Sequence, residues 1–254
     1  MSFRPYFFIS SAFYIPHPKK LHTGGEDSHF ISTDNITLGI ADGVGGWASV
    51  PGANVAKFSR DLMELCNNYS NQNEPIEIIR KAYEKMQKSI IGSSTVVLAK
   101  LINTTIKFYN IGDSKCAVYR EFKQVFETKT TSFSFNTPYQ LGHRSKSTVD
   151  NGIIQDFDIE PEDIIVCGSD GLWDNLFNHE IEQILINSWS TISLPSGFVK
   201  HSSKRLADTA IFIGANEGKN TPFEIEARKN GHEWKGGKLD DTTVIVSQVV
   251  FNEN

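Results

Sequence analysis

Cysteine is scarce. Three residues, Cys66, Cys116 and Cys167, are spread through 254 positions, and no CxxC pair occurs. A zinc ribbon or a thioredoxin-type dithiol needs close pairs, so both are excluded. An odd count without framework spacing fits a reducing compartment, with all three thiols acting as small buried hydrophobes. Long apolar runs are also missing. None approaches the ~20 residues that span a bilayer, so no integral membrane segment is expected. Positive charge is not in excess: 25 Lys and Arg stand against 30 Asp and Glu, for a net charge of -5. A protein that grips nucleic acid by general electrostatics needs a basic surplus, so no nucleic-acid partner is expected. The chain shows no internal repeat, linker or break in composition. Its 39% hydrophobic content over this length is enough for a sizeable core.

The N-terminus carries little information. No acid precedes Glu26, whereas Arg4, Lys19 and Lys20 are basic. That is a thin transit-peptide pattern, and no secretory apolar stretch with a small-residue cleavage site accompanies it.

What is present is periodicity. Tyr6–Ile9, Ser28–Ser32 and Thr37–Ala41 read as strands. Val55, Phe58, Leu62, Leu65 and Tyr69 recur at helical spacing, as do Ile79, Ala82, Tyr83, Met86 and Ile90. The polar stretch 68–73 and Pro75 separate the two, giving a helical hairpin with one apolar stripe on each arm. Strands follow at Val96–Leu101, Ile106–Ile111, Cys116–Arg120 and Gln124–Thr128, with tight turns that imply antiparallel pairing. Residues 130–149 read as irregular. Ile153–Phe157 and Ile164–Cys167 are strands, His179–Ser188 and Ser196–Ala215 helices, 216–238 a long polar loop, and Thr242–Val250 a closing strand. Antiparallel runs with helices in segregated pairs indicate an α+β domain, two sheets face to face with helices outside.

Acids recur at the ends of these strands. Glu26 and Asp27 precede one, Asp42, Asp113 and Asp170 each follow one, and Asp240 and Asp241 precede the last. Glycine stands within two positions of most of them, which allows sharp turns there. Any single Asp in such a place is explained as a turn residue. Several converging on one point repel one another and require a cation. All-oxygen ligation selects a hard metal: Mg²⁺, Mn²⁺ or Ca²⁺.

The local strings are more specific. Gly24–Gly25–Glu26–Asp27, Ala41–Asp42–Gly43–Val44–Gly45–Gly46–Trp47, Gly92–Ser93–Ser94–Thr95, Gly112–Asp113–Ser114, Gly168–Ser169–Asp170–Gly171–Leu172–Trp173–Asp174–Asn175 and Gly236–Gly237–Lys238–Leu239–Asp240–Asp241–Thr242–Thr243 occur in that order. Together they resemble the metal-dependent serine/threonine protein phosphatases of the 2C type, over about Tyr6 to Val249. The Gly43–Trp47 loop and Phe135–Asn136–Thr137–Pro138–Tyr139–Gln140–Leu141 resemble the mitochondrial branch of that family. The resemblance implies a PP2C-like four-layer αββα sandwich, two antiparallel β-sheets flanked by helix pairs, as a single domain over residues 1–254 with its core at about 6–250. It implies two Mn²⁺ or Mg²⁺ ions and a phosphoprotein substrate, hydrolysed at phosphoserine or phosphothreonine by a metal-bridging hydroxide. By match to the family's motifs, Asp42 is the bridging ligand, and Asp170 and Asp240 complete the first ion's set. Glu26 and the carbonyl of Gly43 hold the second ion, and Asp27 orients the attacking water. Asp174 helps hold a third, weaker ion. Mitochondrial localisation is implied by the branch.

The chain also departs from the wider family. The Arg that binds substrate phosphate four residues before the Glu is His22 here, and the His after Asp-Gly is Val44. The Thr-x-Asp-His stretch that supplies another third-ion ligand is not recognisable. The phosphate clamp and general acid are therefore open, with His22 a candidate and His29 a weaker one. Asp113 reads as a turn residue ahead of a group approaching the metal site, Trp47 and Trp173 as packing groups, and Asp241 as a group that orients Asp240 or caps the loop. A haloacid-dehalogenase-type site is excluded, because Ile40 stands two residues before Asp42, where its Asp nucleophile is required. The competing reading is a phosphatase-like binding module, which would have lost metal ligands. None of the core ones is missing.

Overall fold

The computed structural model describes residues 6–47, 49–192 and 194–251. In chain order the elements are β1 (Tyr6–Ile15), β2 (Ser28–Ile31), β3 (Thr37–Ala41), α1 (Val55–Asn68), α2 (Pro75–Lys85), β4 (Ser93–Ser94), β5 (Val96–Ile102), β6 (Thr105–Ile111), β7 (Lys115–Arg120), β8 (Lys123–Glu127), β9 (Ser132–Ser134), β10 (Thr137–Pro138), β11 (Leu141–Gly142), β12 (Ile153–Asp158), β13 (Ile164–Gly168), α3 (Asp170–Trp173), α4 (Asn178–Thr191), α5 (Pro195–Gly214), α6 (Pro222–Lys229) and β14 (Thr242–Phe251). One sheet runs β1-β14-β13-β7-β8 and the other β12-β6-β5-β3-β2, each five-stranded. Every pairing within them is antiparallel.

The two-residue period of a strand builds the layers. In β13, Ile165 and Cys167 join the core between the sheets, while Ile164 and Val166 face α4 and α5. In β5, Val97, Ala99 and Leu101 point to the inter-sheet core and Val96 and Leu98 to α1 and α2. Both faces of each central strand are therefore buried, and each fully buried aliphatic side chain contributes about 1.5–3 kcal/mol. The result is the four-layer αββα order expected from the sequence.

The helix boundaries have local causes. α1 starts where the Asn54 side chain accepts a hydrogen bond from the Lys57 N–H, at 3.0 Å. α2 begins on Pro75 rather than Ile79 and stops at Lys85, because Met86 turns to extended backbone at ψ 139°. α6 was not visible in the polar stretch 216–238. Its start carries a recognisable cap, with Thr221 accepting from the Glu224 N–H ahead of Pro222. The irregular 130–149 segment contains the short β9–β10 hairpin and β11, which pairs with β4.

The cysteine expectation needs correction. Cys116 in β7 and Cys167 in β13 are direct cross-strand partners and form a disulfide, while Cys66 stays free and buried. Their sequence separation of 51 residues hides the contact. Only the strand order of the first sheet brings them together.

Register also gathers the acidic strand ends. Ser28 lies opposite Ala41, Val96 opposite Ile111, and Gly168 opposite both Val244 and Lys115. The segments carrying Glu26–Asp27, Asp42, Asp113, Asp170 and Asp240–Asp241 thus all emerge at the same end of the sandwich.

Candidate metal centre

Each acid is held by neighbours that the sequence strings supply. The backbone carbonyl of Asp42 accepts from the Thr95 N–H at 2.9 Å and the Ser94 hydroxyl at 2.7 Å, which gives the Gly92–Thr95 string its purpose. Gly43 must be glycine because of close packing: a Cβ there would lie 2.6 Å from the Glu26 carbonyl oxygen and 2.5 Å from Val55. Gly25 sits at φ +81°, where an added Cβ would collide with the Tyr14 hydroxyl at 1.5 Å. This fold in the chain is fastened by Arg60, which donates to the carbonyls of Thr23 at 2.6 Å and Gly25 at 3.0 Å. The Ser59 hydroxyl donates to the Glu26 carbonyl. Trp173 Nε1 donates to the Gly168 carbonyl at 2.9 Å, fixing the turn into Asp170. Trp47 Nε1 donates to Ser93 Oγ at 2.5 Å. Both tryptophans act as packing groups of the acidic loops.

Asp241 is 2% exposed and fully engaged. Its Oδ1 accepts from the His17 N–H at 2.7 Å and the Tyr14 hydroxyl at 3.3 Å, and its Oδ2 from the Glu26 N–H at 3.0 Å and Lys20 Nζ at 3.0 Å. It positions the backbone of Glu26 directly. Its link to Asp240 is through its own N–H, which donates to Asp240 Oδ1 at 2.8 Å.

The structure brings Asp27, Asp42, Asp170, Asp174 and Asp240 into electrostatic reach of one another, with Glu26 joined to Asp240 through Lys20. Burial, reinforced by Asp170, Asp27, Asp240 and Asp113, pushes the Asp42 carboxyl well above the usual carboxylate range. Asp27 is raised by burial and by Asp241, against a 2.8 Å hydrogen bond from Thr243. Asp240 is raised by burial and by Asp170. Asp174 is pushed up to about 6, by burial first. For Asp170 burial also opposes ionisation, but the Lys238 ammonium outweighs it and holds the carboxyl below its ordinary value.

Two lysines that the sequence does not mark as site residues face the acids. Lys238 Nζ pairs with Asp170, lies 2.9 Å from Asp174 Oδ2 and 3.9 Å from Asp240 Oδ2. Its backbone is clamped by the buried Asn175 amide, at 2.8 and 2.9 Å. Lys20 Nζ reaches Glu26 at 2.9 Å and Asp240 and Asp241 at 3.0 Å. Asp113 lines a groove beside the acids, and burial and Asp170 push its carboxyl up to about 7. Proximity of Lys238 to Asp240 in sequence was a usable clue. Nothing in the sequence marked Lys20 as facing the acids. His22 is exposed, and His29 lies in β2, where burial pushes its imidazole pKa down.

The donor set fits a hard divalent cation. Asp27 Oδ1 and Asp170 Oδ1 are buried and accept no hydrogen bond, and Glu26 Oε2 accepts no aligned one despite its closeness to Lys20. Buried oxygens of this kind are rarely left without a partner. Among the described residues no three acidic, His or Cys side chains are already disposed to share an ion, and Glu26, Asp170, Asp174 and Asp240 are instead paired with the two ammonium groups.

A groove of about 570 Å³ opens beside this cluster, lined by Asp113, Asp174, Phe135 and Phe223 among others. Its walls come from 130–137 and 222–230, within the two segments that the sequence left as loops. They are joined by aromatic contacts: the Phe135 ring centroid lies 5.2 Å from Phe223 and 5.1 Å from His232. Lys238 Nζ sits 5.2 Å from the Phe223 ring, linking the groove to the acids.

Known proteins resemble the chain in sequence and fold. Probable protein phosphatase 2C 26 of Arabidopsis thaliana is 35% identical over 254 residues, covering 93% of this chain and 82% of that protein. The chain belongs to the protein phosphatase 2C family. Probable protein phosphatase 2C 80 of Arabidopsis thaliana is 35% identical over 248 residues, and there the chain spans only 58% of the relative's length. Among solved structures, the photosystem II phosphatase PBCP superposes with a TM-score of 0.86 at 31% identity, covering 95% of this chain and 98% of that one. No protein-family model matches the chain.

Proposed function

We propose that the chain is a Mn²⁺- or Mg²⁺-dependent phosphatase that hydrolyses phosphoserine and phosphothreonine in proteins. The observation that carries this reading is the gathering of Asp27, Asp170 and Asp240 about Asp42, with buried oxygens of Asp27 and Asp170 left without partners. When bound, two divalent cations supply Lewis acidity, an activated water and charge to clamp phosphate oxygens. The chain's own groups do the rest. Asp42, Asp170 and Asp240 offer oxygens for one ion, and Glu26, Asp42 and the Gly43 carbonyl for the other. Asp27, held at Oδ2 by Thr243, keeps Oδ1 free to orient a water and receive its proton. Lys238 keeps Asp170 ionised and takes up Asp174. Its ammonium thus supplies positive charge where the family resemblance implies a weak third ion.

Phosphate release from phosphoserine and phosphothreonine peptides tests the reading. Release should require added Mn²⁺ or Mg²⁺ and stop on chelation. Absence of release under any metal would leave the binding-module reading.

We also place the protein in the mitochondrial branch of the family, supported by the Gly43–Trp47 loop and Phe135–Leu141. Fusing residues 1–25 to a fluorescent reporter should direct it to mitochondria. A cytosolic pattern would count against that assignment.

A further inference from the structure

Lys20 is held at the acidic cluster by its backbone as well as its side chain. It ends a short 3₁₀ turn, Pro18–Lys20, whose leading residue His17 donates its N–H to Asp241 Oδ1 at 2.7 Å. Its carbonyl accepts from the N–H groups of Thr23 and Gly25, both at 3.0 Å. The loop that carries Glu26 therefore folds around the Lys20 backbone, which starts the side chain beside the acids.

The three partners of its Nζ are not equivalent. Asp241 is buried, saturated by two backbone N–H groups and the Tyr14 hydroxyl, and has no role as an ion ligand in the reading above. It is the permanent anchor. Glu26 and Asp240 are the carboxylates that two cations would claim. An ammonium has three N–H donors. With Glu26 and Asp240 committed to cations, one donor stays on Asp241 and two remain free beside the reacting centre. A dianionic phosphate group suits those donors, because charge-assisted bonds to its oxygens are strong.

We propose that Lys20 is the cation of the chain that contacts the substrate phosphate, in the role left open by His22. The assignment rests on the phosphatase reading. It makes Lys20 a substrate-contacting residue and leaves Lys238, less exposed and locked between Asp170 and Asp174, as a positioning residue.

Calorimetric titration of the full, Mn²⁺-saturated chain with inorganic phosphate tests this, together with Mn²⁺ titration of each variant. Lys20→Gln should weaken phosphate binding by about 10- to 100-fold, the range for a lost charge-assisted hydrogen bond. Mn²⁺ stoichiometry should be unchanged, Lys20→Arg should recover most of the phosphate affinity, and KM for a phosphopeptide should rise more than kcat falls. Wild-type phosphate affinity in Lys20→Gln would overturn the proposal. So would a variant whose only change is tighter Mn²⁺ binding, which would make Lys20 a mere neutraliser of the acids. If the wild-type chain binds Mn²⁺ but no phosphate, the phosphatase reading itself falls, and this inference with it.

Discussion

Replacing Asp42 with Asn is expected to reduce phosphate release by more than about 100-fold and to weaken Mn²⁺ binding in parallel. Groups one step removed from a bound ion typically cost about 10–100-fold when lost, so a group shared by two ions should exceed that range. The position explains the size of the effect. Asp42 leaves the end of β3, a strand buried along its whole length, and its carbonyl is pinned by Ser94 and Thr95. Its carboxyl faces Asp170, Asp27 and Asp240, and no other acid is raised by so many of the expected ligands. The same crowding supplies an internal control. Without cations, the Asp42 charge opposes its neighbours, so Asn should leave the metal-free melting temperature unchanged or raise it. An inactive variant that melts normally has lost chemistry and not its fold. If Asp42→Asn kept wild-type activity, the site assignment would be wrong.

The second large effect is on stability, and it depends on pH and metal together. The raised carboxyls of Asp42, Asp27 and Asp240, with Asp174 near 6 and Asp113 near 7, favour the protonated form in the metal-free fold. Their stabilising contribution is complete below the ordinary carboxylate pKa of about 4 and is lost as pH climbs through the raised values, about 6 for Asp174 and about 7 for Asp113. Asp170 runs the other way: its contribution is lost as pH falls through a pKa below the ordinary value, outside this window. The metal-free melting temperature should therefore fall between pH 5 and pH 8, by an amount on the order of 5 °C. Mn²⁺ should reverse this at pH 7.5. A hundredfold excess over Kd stabilises by about 2.7 kcal/mol, or roughly 5–10 °C for a chain of this size. At pH 5 the gain should shrink, because the ligands must lose protons to bind. A melting temperature indifferent to Mn²⁺ at pH 7.5 would contradict the fit of the donor set to a divalent ion.

Much of the layered fold was legible in the sequence because the central strands alternate and α1 carries a clear apolar stripe. Val55, Phe58 and Leu62 announce its buried face, and all three pack there. α6 escaped because its first turn is marked by a cap, Thr221 before Pro222, and not by an apolar stripe. The Cys116–Cys167 pairing escaped because residues 51 apart meet only through the strand order of a sheet. At the site, the acids stood out through their shared place at strand ends beside glycines. The ammonium groups did not. A lysine in a short turn such as Lys20 is normally solvated, and only the fold shows that its Nζ lies within about 3 Å of Glu26, Asp240 and Asp241. Asp113 was judged by its local Gly-Asp-Ser turn, whereas its environment is set by Asp170 and Lys238, which arrive from distant segments.

The central claim is that these acids hold divalent ions that hydrolyse phosphoserine and phosphothreonine. The most direct test is phosphate release from a phosphothreonine peptide at pH 7–8 with millimolar Mn²⁺, comparing the wild-type chain with Asp170→Asn. Turnover by the wild type, abolished by chelation and lost in the variant, is expected. Equal release by the two proteins, or none by either, would contradict it.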